Sequence, residues 1–508
     1  MTTAASAPGL GRRAVASLWA AAAMPYLVLA LWVPIARALG VFGGVPIPVV
    51  VVVSALAGPA LVAALPRLAA PLPESLDRWL DPGNRRLAAL WAAGGLLAVL
   101  AFGRMAIFLG DPAHIECSLI PADSFLVRHS CLTAYVHGAI LSKDPAANVY
   151  DMAFVERSTD LSAPLPPTAA HFAPFTLDAF GYPPPFLLLS RALLLLTTDF
   201  LSQRILFAAA SLLLVLFALA SAAGTLGGTA ERRIWLLTPI LLAHPLVLVT
   251  LQIGNFHLIA VSLCLLCWVA LERQRDGMTG TLLAVATLAK IFPGLLGVVL
   301  LVQRRWRAVA LTCLAALILC ALSVAVLGTA VWHDFLFYHL PRVQSGEALG
   351  FMATSRREIA MNLAPFGIPF KLAALGFEGW GWPQARRFGD VYSVLVLGLA
   401  ALAGRRQGSP RHRLTIWLTL VMLASLRSPY AALFVVSTIV VLLVVMTAEI
   451  DSVRSLVAFL AAWALVTIPA PDTNPGVQMA VSLGRAIVIY GLLGWVLLRR
   501  ERAAPHGS

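Results

Sequence analysis

Charged side chains are scarce in this 508-residue chain. Asp, Glu, Lys and Arg make up 12% of the residues and hydrophobic residues 60%, with a mean hydropathy of +0.86. A soluble domain carries about a quarter charged residues, so this balance excludes an ordinary soluble fold. The sequence also lacks a P-loop, a GxGxxG opening a helix after a strand, an HExxH and a zinc-type cysteine pattern. These absences argue against an ATP-driven pump and against a cytoplasmic nucleotide-sugar enzyme.

Cysteine is rare as well, with six residues in the chain. Four of them lie within apolar runs and are interpreted as small buried hydrophobes: Cys264, Cys267, Cys313 and Cys320. Cys117 and Cys131 lie in a long polar segment, where a disulfide is allowed if that segment faces the outside. No cleavable signal peptide is evident, and we expect the run from Ala14 to Ile35 to be a retained anchor.

Long apolar runs, by contrast, recur along the whole chain. Runs of roughly 17–25 residues are typical of helices that cross a bilayer. We predict an all-α polytopic membrane protein with about twelve full spans, a re-entrant hairpin and short juxtamembrane helices in the first long outer loop. The formal net charge is +13, and most positive residues cluster between the runs. This positive-inside pattern predicts that both termini are cytoplasmic, with membrane lipids rather than nucleic acid as partners.

The predicted spans divide the chain into three parts. Residues 1–86 hold an additional pair of spans and a cytoplasmic linker. Residues 87–430 form the membrane core with outer loops at 110–182 and 328–390, and residues 431–508 hold the last helices and a cytoplasmic tail. The spans are expected near Ala14–Ile35, Ile47–Leu65, Leu87–Leu109, Ile205–Ala223, Ile234–Thr250, Phe256–Leu271, Ala308–Leu327, Val391–Ala403, Leu414–Leu426, Ala431–Met446, Leu456–Ile468 and Val477–Leu498.

The first long outer loop, Asp111 to Tyr182, is acidic although the protein is basic. It holds eight acidic and three basic residues, a balance of −5. Ser124 to Leu141 is predicted to form one amphipathic helix at the membrane surface. Asp123, just before it, is either a solvated carboxylate or a general base that takes a proton from an attacking hydroxyl.

The segment Thr279–Val302 is flanked by basic residues at both ends, so one crossing would invert all later spans. We therefore predict a short hairpin that bends at Lys290-Ile-Phe-Pro293, because proline favours a helix break just before it. Lys290 would then lie near the tip. An ammonium in an apolar run points to a functional role, with phosphate as its natural partner, although a lysine that snorkels to the interface is the alternative.

Several other polar residues fall at the predicted outer face. Gln252, Asn255 and His257 occupy a turn between two spans, where they either cap helix ends or bind sugar hydroxyls. Arg356 and Arg357 are adjacent in the second outer loop, where they either bind a phosphate or form a solvated pair near Glu358. Asn362 and Arg427 are further candidates for substrate binding.

The order of these motifs resembles the GT-C membrane glycosyltransferases, and most closely glycosyltransferase family 87. Family 87 includes mannosyltransferases that use polyprenol-phosphate-mannose. The resemblance rests on Asp123 in the first outer loop, Phe180-Gly-Tyr-Pro-Pro-Pro185, Gln252-Ile-Gly-Asn255, Ala289-Lys-Ile-Phe-Pro293 and Asn362. It covers roughly Leu87 to Tyr430. The first two spans, which precede the span that leads to the loop of Asp123, resemble an N-terminal addition to the family pattern.

The resemblance implies a GT-C helical bundle and inverting transfer of a sugar, mannose or another hexose, from a polyprenyl-phosphate donor. The acceptor would be a lipid or glycan at the periplasmic face of a bacterial inner membrane. The resemblance also makes Asp123 the base, Lys290 a contact to the donor phosphate and Tyr182 a substrate residue. It implies transfer that is metal-independent or weakly metal-dependent, and we expect no cofactor and no metal site. Two alternatives remain open: a transporter or flippase of lipid-linked sugars, and a structural protein with a degenerate fold.

Overall fold

The computed structural model describes residues 10–64, 85–151, 167–406, 408–432, 438 and 474–498. Regular structure within these ranges is helical, and their only β feature is an isolated bridge between His129 and Thr176. The chain divides into two compact units, and two helices contribute residues to both units.

The first unit comprises residues 1–134, 157–178 and 192–255. Its longest helices pack around the first of them, and two tryptophans join them: Trp19 Nε1 donates to the Trp235 carbonyl (2.9 Å) and Trp91 Nε1 to the Leu236 carbonyl (3.0 Å). The helices are α1 (Leu10–Ala38), α2 (Ile47–Ala64), α3 (Arg85–Gly110), α4 (Ser124–Arg128), the start of α5 (Cys131–Leu141), the end of α6 (Phe186–Leu196), α7 (Phe200–Leu226), α8 (Gly228–Leu242) and α9 (Pro245–Gln252).

The second unit comprises residues 135–156, 179–191 and 256–508. It contains the rest of α5 and α6, the long helices that follow them and a series of short helices. These are α10 (His257–Glu272), α11 (Asp276–Ala289), α12 (Leu296–Val302), α13 (Trp306–Leu327), α14 (Ala330–His333), α15 (Leu340–Ser345), α16 (Phe351–Thr354), α17 (Arg356–Met361), α18 (Ile368–Ala374), α19 (Trp382–Gly404), α20 (Pro410–Ser425) and α21 (Pro475–Leu498).

Six helices of the described ranges are long and apolar enough to cross a membrane, and a bent pair, α8 with α9, adds a seventh if it is one span. The six are Ala14–Ala38, Ala88–Gly110, Phe200–Leu226, Trp306–Leu327, Trp382–Gly404 and Pro475–Leu498. The protein is thus an all-helical membrane protein, as predicted. The total of twelve spans stays a prediction. Residues 65–84, 152–166, 439–473 and 499–508, which hold the linker, part of the first outer loop, most of two late spans and the tail, lie outside the described residues.

The single helix predicted for Ser124–Leu141 is wrong. The chain forms α4 and α5 instead, with His129 extended between them (φ −90°, ψ 135°). Tertiary hydrogen bonds hold the break open: the Thr176 amide donates to the Arg128 carbonyl (3.0 Å) and the Cys131 amide to the Ile253 carbonyl (2.7 Å). The Arg128 carbonyl and the Cys131 amide therefore pair with other segments and not with groups of one continuous helix.

The span predicted for Ile234–Thr250 is bent in the structure, because α8 and α9 meet at an angle of 66°. Pro245 has no amide hydrogen to continue the helix and occupies the first turn of α9. The His244 side chain caps this new start by accepting from the Leu246 amide (3.3 Å).

The predicted break between Lys290 and Pro293 is confirmed. Helix α11 ends at Ala289, Lys290 is extended (φ −145°, ψ 120°) and a 3-10 turn covers Phe292–Leu295. After α12 the chain returns to its starting point, because the Arg305 guanidinium lies 2.5 Å from Gln274 Oε1 and 3.4 Å from Asp276. Thr279–Val302 therefore belongs to a hairpin and not to a single crossing.

The other predicted helix bounds are close to the observed ones, except that one helix is longer than predicted. Helix α19 begins at Trp382 rather than near Val391, so Arg386 and Arg387 lie on a helix and the second outer loop is shorter than 328–390. A short apolar helix, Phe186–Leu196, follows the three prolines.

Candidate functional site

Asp123 is the N-cap of α4. Its Oδ1 accepts hydrogen bonds from the amides of Phe125 (3.0 Å) and Leu126 (3.3 Å), and its side chain is half-buried. The carboxylate is therefore held in one orientation at the start of a helix, where the helix dipole favours a negative charge.

Gln252 holds the segment that carries Asp123. Its side chain is fully buried; Oε1 accepts from the Leu119 amide (2.8 Å), and Nε2 donates to the Leu126 carbonyl (2.7 Å). These two backbone groups lie on either side of Asp123 along the chain. The structure thus gives Gln252 the task of positioning the loop, whereas the sequence suggested sugar binding or helix capping.

A glycine makes the turn at Gln252-Ile-Gly-Asn255 possible. Gly254 has φ +67°, and a Cβ there would lie 3.3 Å from Leu132 Cβ, so a side chain is disfavoured by conformation and by space. The turn brings Asn255 to the start of α5, where its Nδ2 donates to Cys131 Sγ (3.3 Å).

A group of side chains that no sequence motif indicated lies beside this turn. His129, Cys131 and Asp178 each offer a nitrogen, sulfur or oxygen atom, and these atoms all lie within 4.8 Å of one another. Asp178 is far from the other two in sequence. The only available signal was a high density of acids in the loop, which did not single out these three.

Tyr182 is the centre of an aromatic cluster in the second unit. Its hydroxyl lies 3.0 Å from that of Tyr135, its carbonyl accepts from the Tyr150 hydroxyl (2.9 Å), and its ring stacks on Phe186 with centroids 4.6 Å apart. These contacts fix the ring. Lys290 Nζ lies 5.5 Å from the ring centroid, within the range of a cation–π interaction.

Lys290 therefore lies at the hairpin tip beside an aromatic ring, and it is half-buried. His257, at the start of α10, contacts the same tip through Phe292 with ring centroids 5.1 Å apart. His257 Nε2 also lies 2.6 Å from Thr438 Oγ1. The tip thus gathers an amine, an imidazole and a phenol in one unit.

Asn362 connects backbone segments. Its Oδ1 accepts from the amides of Ala364 and Ala431 (both 3.0 Å), and its Nδ2 donates to the Pro429 carbonyl (2.8 Å). It is 1% exposed. Like Gln252, this buried amide is committed to backbone groups, and it holds the segment after α17 against the segment after α20.

Three predicted arginines, Arg356, Arg357 and Arg427, are exposed. Arg356 and Arg357 open α17, and Arg356 Nε donates to Gln478 Oε1 (3.0 Å). Arg427 Nε donates to Ser393 Oγ (3.2 Å).

The second unit also contains a cavity of ≈ 510 Å³ at the ends of α10, α12 and α19. Arginines dominate its polar lining, and Glu272 pairs with Arg413 there (2.8 Å and 2.5 Å). Lys290 and the other predicted site residues do not line it. It is thus separate from the cluster around Tyr182.

The protein has several helices that can cross a membrane, so it is a polytopic membrane protein. The segments between them carry a half-buried carboxylate, Asp123, and a half-buried amine, Lys290. Residues 180–429 match the model of Glycosyltransferase family 87. The chain belongs to this family of GT-C-type membrane glycosyltransferases, as its motifs suggested. The match includes Tyr182 and Lys290, whereas Asp123 precedes it. No curated protein matches the chain.

Proposed function

We propose that this glycosyltransferase uses a polyprenyl-phosphate-linked sugar, mannose or another hexose, as its donor. The observation that carries the proposal is Lys290 at the hairpin tip beside Tyr182. An ammonium on a helix break is suited to a phosphate, and the aromatic ring offers a face for a sugar or for the cation itself. Arg356 and Arg357 are further candidates for phosphate contact.

Asp123 is the proposed general base. The acceptor hydroxyl gives its proton to the carboxylate while its oxygen bonds to the anomeric carbon. The bond between that carbon and the phosphate oxygen breaks, and polyprenyl phosphate leaves with the electron pair, so the anomeric configuration inverts. Lys290 offsets the charge on the departing phosphate. A positioned base contributes about 10²–10⁴-fold to such a step.

The acceptor is a lipid or glycan at the periplasmic face of the bacterial inner membrane. The topology that supports this has about twelve spans, with both termini cytoplasmic and the loops of Asp123 and Arg356 outside. The positive clusters between the spans support it. In this proposal the fixed aromatic cluster of Tyr182 and the exposed Arg427 contribute to substrate binding, together with Asn255 and His257.

The test uses the purified full-length chain in nanodiscs with a radiolabelled polyprenyl-phosphate sugar and envelope lipid extracts as acceptors. We expect a labelled product of inverted anomeric configuration. Asp123→Asn should lower the rate by about 10²–10⁴-fold. Full activity in that variant would remove Asp123 as the base. Movement of the donor across a proteoliposome bilayer with no labelled product would instead support a flippase.

A further inference from the structure

The cluster of His129, Cys131 and Asp178 has the dimensions of a metal site. His129 Nε2 lies 3.5 Å from Cys131 Sγ and 3.8 Å from Asp178 Oδ2. A tetrahedral zinc ion with ligands at about 2.0–2.3 Å needs neighbouring ligand atoms about 3.3–3.7 Å apart. These two distances are near this range, and all three atoms lie within 4.8 Å of one another, so side-chain movements would bring them to bonding distance of one ion.

The two segments that supply these atoms are locked together by the backbone. His129 forms a bridge with Thr176, and the Thr176 amide donates to the Arg128 carbonyl (3.0 Å). The Thr133 hydroxyl accepts from the Asp178 amide (3.1 Å) and lies 2.7 Å from the Ser130 carbonyl and 3.1 Å from the Thr176 carbonyl. The fold therefore places the backbone of His129, Cys131 and Asp178 close together.

The surroundings suit a bound cation. Cys131 is buried, and Asn255 Nδ2 donates to its sulfur (3.3 Å), so a second side chain orients this atom in the way that the neighbours of metal ligands do. The side chains of His129 and Asp178 are 16% and 37% exposed, so the cluster opens on the side of the carboxylate. A thiolate, an imidazole and a carboxylate form a ligand set typical of zinc, with a fourth position left to water.

We propose that His129, Cys131 and Asp178 bind one divalent metal ion of the zinc class. The ion connects the end of α4 to the segment of Asp178, and it thereby holds the short helix that Asp123 caps. This differs from the sequence analysis, which predicted no metal site. The proposal does not depend on the proposed sugar donor, and its test measures binding alone.

The test is a cobalt(II) titration of the full-length protein in detergent, after treatment with a chelator and under reducing conditions. We expect one equivalent to bind, with a thiolate-to-cobalt absorption band in the near ultraviolet. Cys131→Ser should abolish the band. Cys117→Ser, in the same loop, and Cys264→Ser, in α10, are the matched controls and should retain it.

Two further variants test the other ligands. His129→Ala and Asp178→Asn should each weaken binding by at least about tenfold, since even partners of metal ligands contribute 10–100-fold. Thermal unfolding of each variant without metal checks that it is folded. The proposal is overturned if the unmodified protein shows no band, if the band survives Cys131→Ser, or if Cys117→Ser removes it.

Discussion

Replacing Gln252 by leucine should loosen the loop of Asp123 without removing a group that touches substrate. The change deletes two hydrogen bonds, those to the Leu119 amide and the Leu126 carbonyl. A fully buried group left without its partner costs about 1–3 kcal/mol, and the half-buried amide about 0.5–1.5 kcal/mol. The expected loss of stability is therefore roughly 1.5–4.5 kcal/mol, and it should mainly affect residues 119–126.

The matched control for this change is Gln203→Leu. Gln203 is an equally buried glutamine of the first unit, but its Nε2 donates to the Thr197 carbonyl (2.6 Å), away from the loop of Asp123. Hydrogen exchange should accelerate at residues 119–126 in Gln252→Leu only, and kcat should fall more than KM rises. Equal loss of kcat in both variants, or unchanged exchange in Gln252→Leu, would refute a positioning role for Gln252.

Three further outcomes are expected. Asp123→Ala should lower stability by about 0.5–2 kcal/mol through loss of the cap, whereas Asp123→Asn should keep the cap and lose only transfer; thermal unfolding beside the transfer assay separates the two. Lys290→Ala should raise KM for the donor at least about tenfold and Lys290→Arg should restore part of it, since one phosphate contact contributes about 1.5–3 kcal/mol; an unchanged KM would make Lys290 structural. Burial lowers the pKa of His339 to about 4, so the folded protein favours the neutral ring; the unfolded chain binds more protons between pH 6.5 and 4, and stability falls as pH decreases through that window. The loss from this residue should reach at most roughly 3 kcal/mol, and His339→Phe should reduce the difference between the unfolding midpoints measured at pH 7.5 and pH 5.

The sequence predicted the helices well because hydropathy acts through local stretches of chain. The break at Lys290 also followed from local chemistry, since Pro293 disfavours helix in the residues before it. The bend before Pro245 was missed although the same signal was present. There the apolar run was long enough to be interpreted as one span, and only the cap by His244 and the angle of 66° distinguish the two helices.

Composition and residue order by themselves determined that this is a helical membrane protein of family 87, with an acidic first loop and a lysine at a hairpin tip. Tertiary structure alone decided which polar side chains serve the fold. Gln252 bonds to a carbonyl 126 residues away, and Asp178 meets His129 and Cys131 only because the backbone pairs at Thr176. Hydropathy and proline act on neighbours in the chain, whereas buried hydrogen bonds and ligand clusters depend on which distant segments the fold brings together.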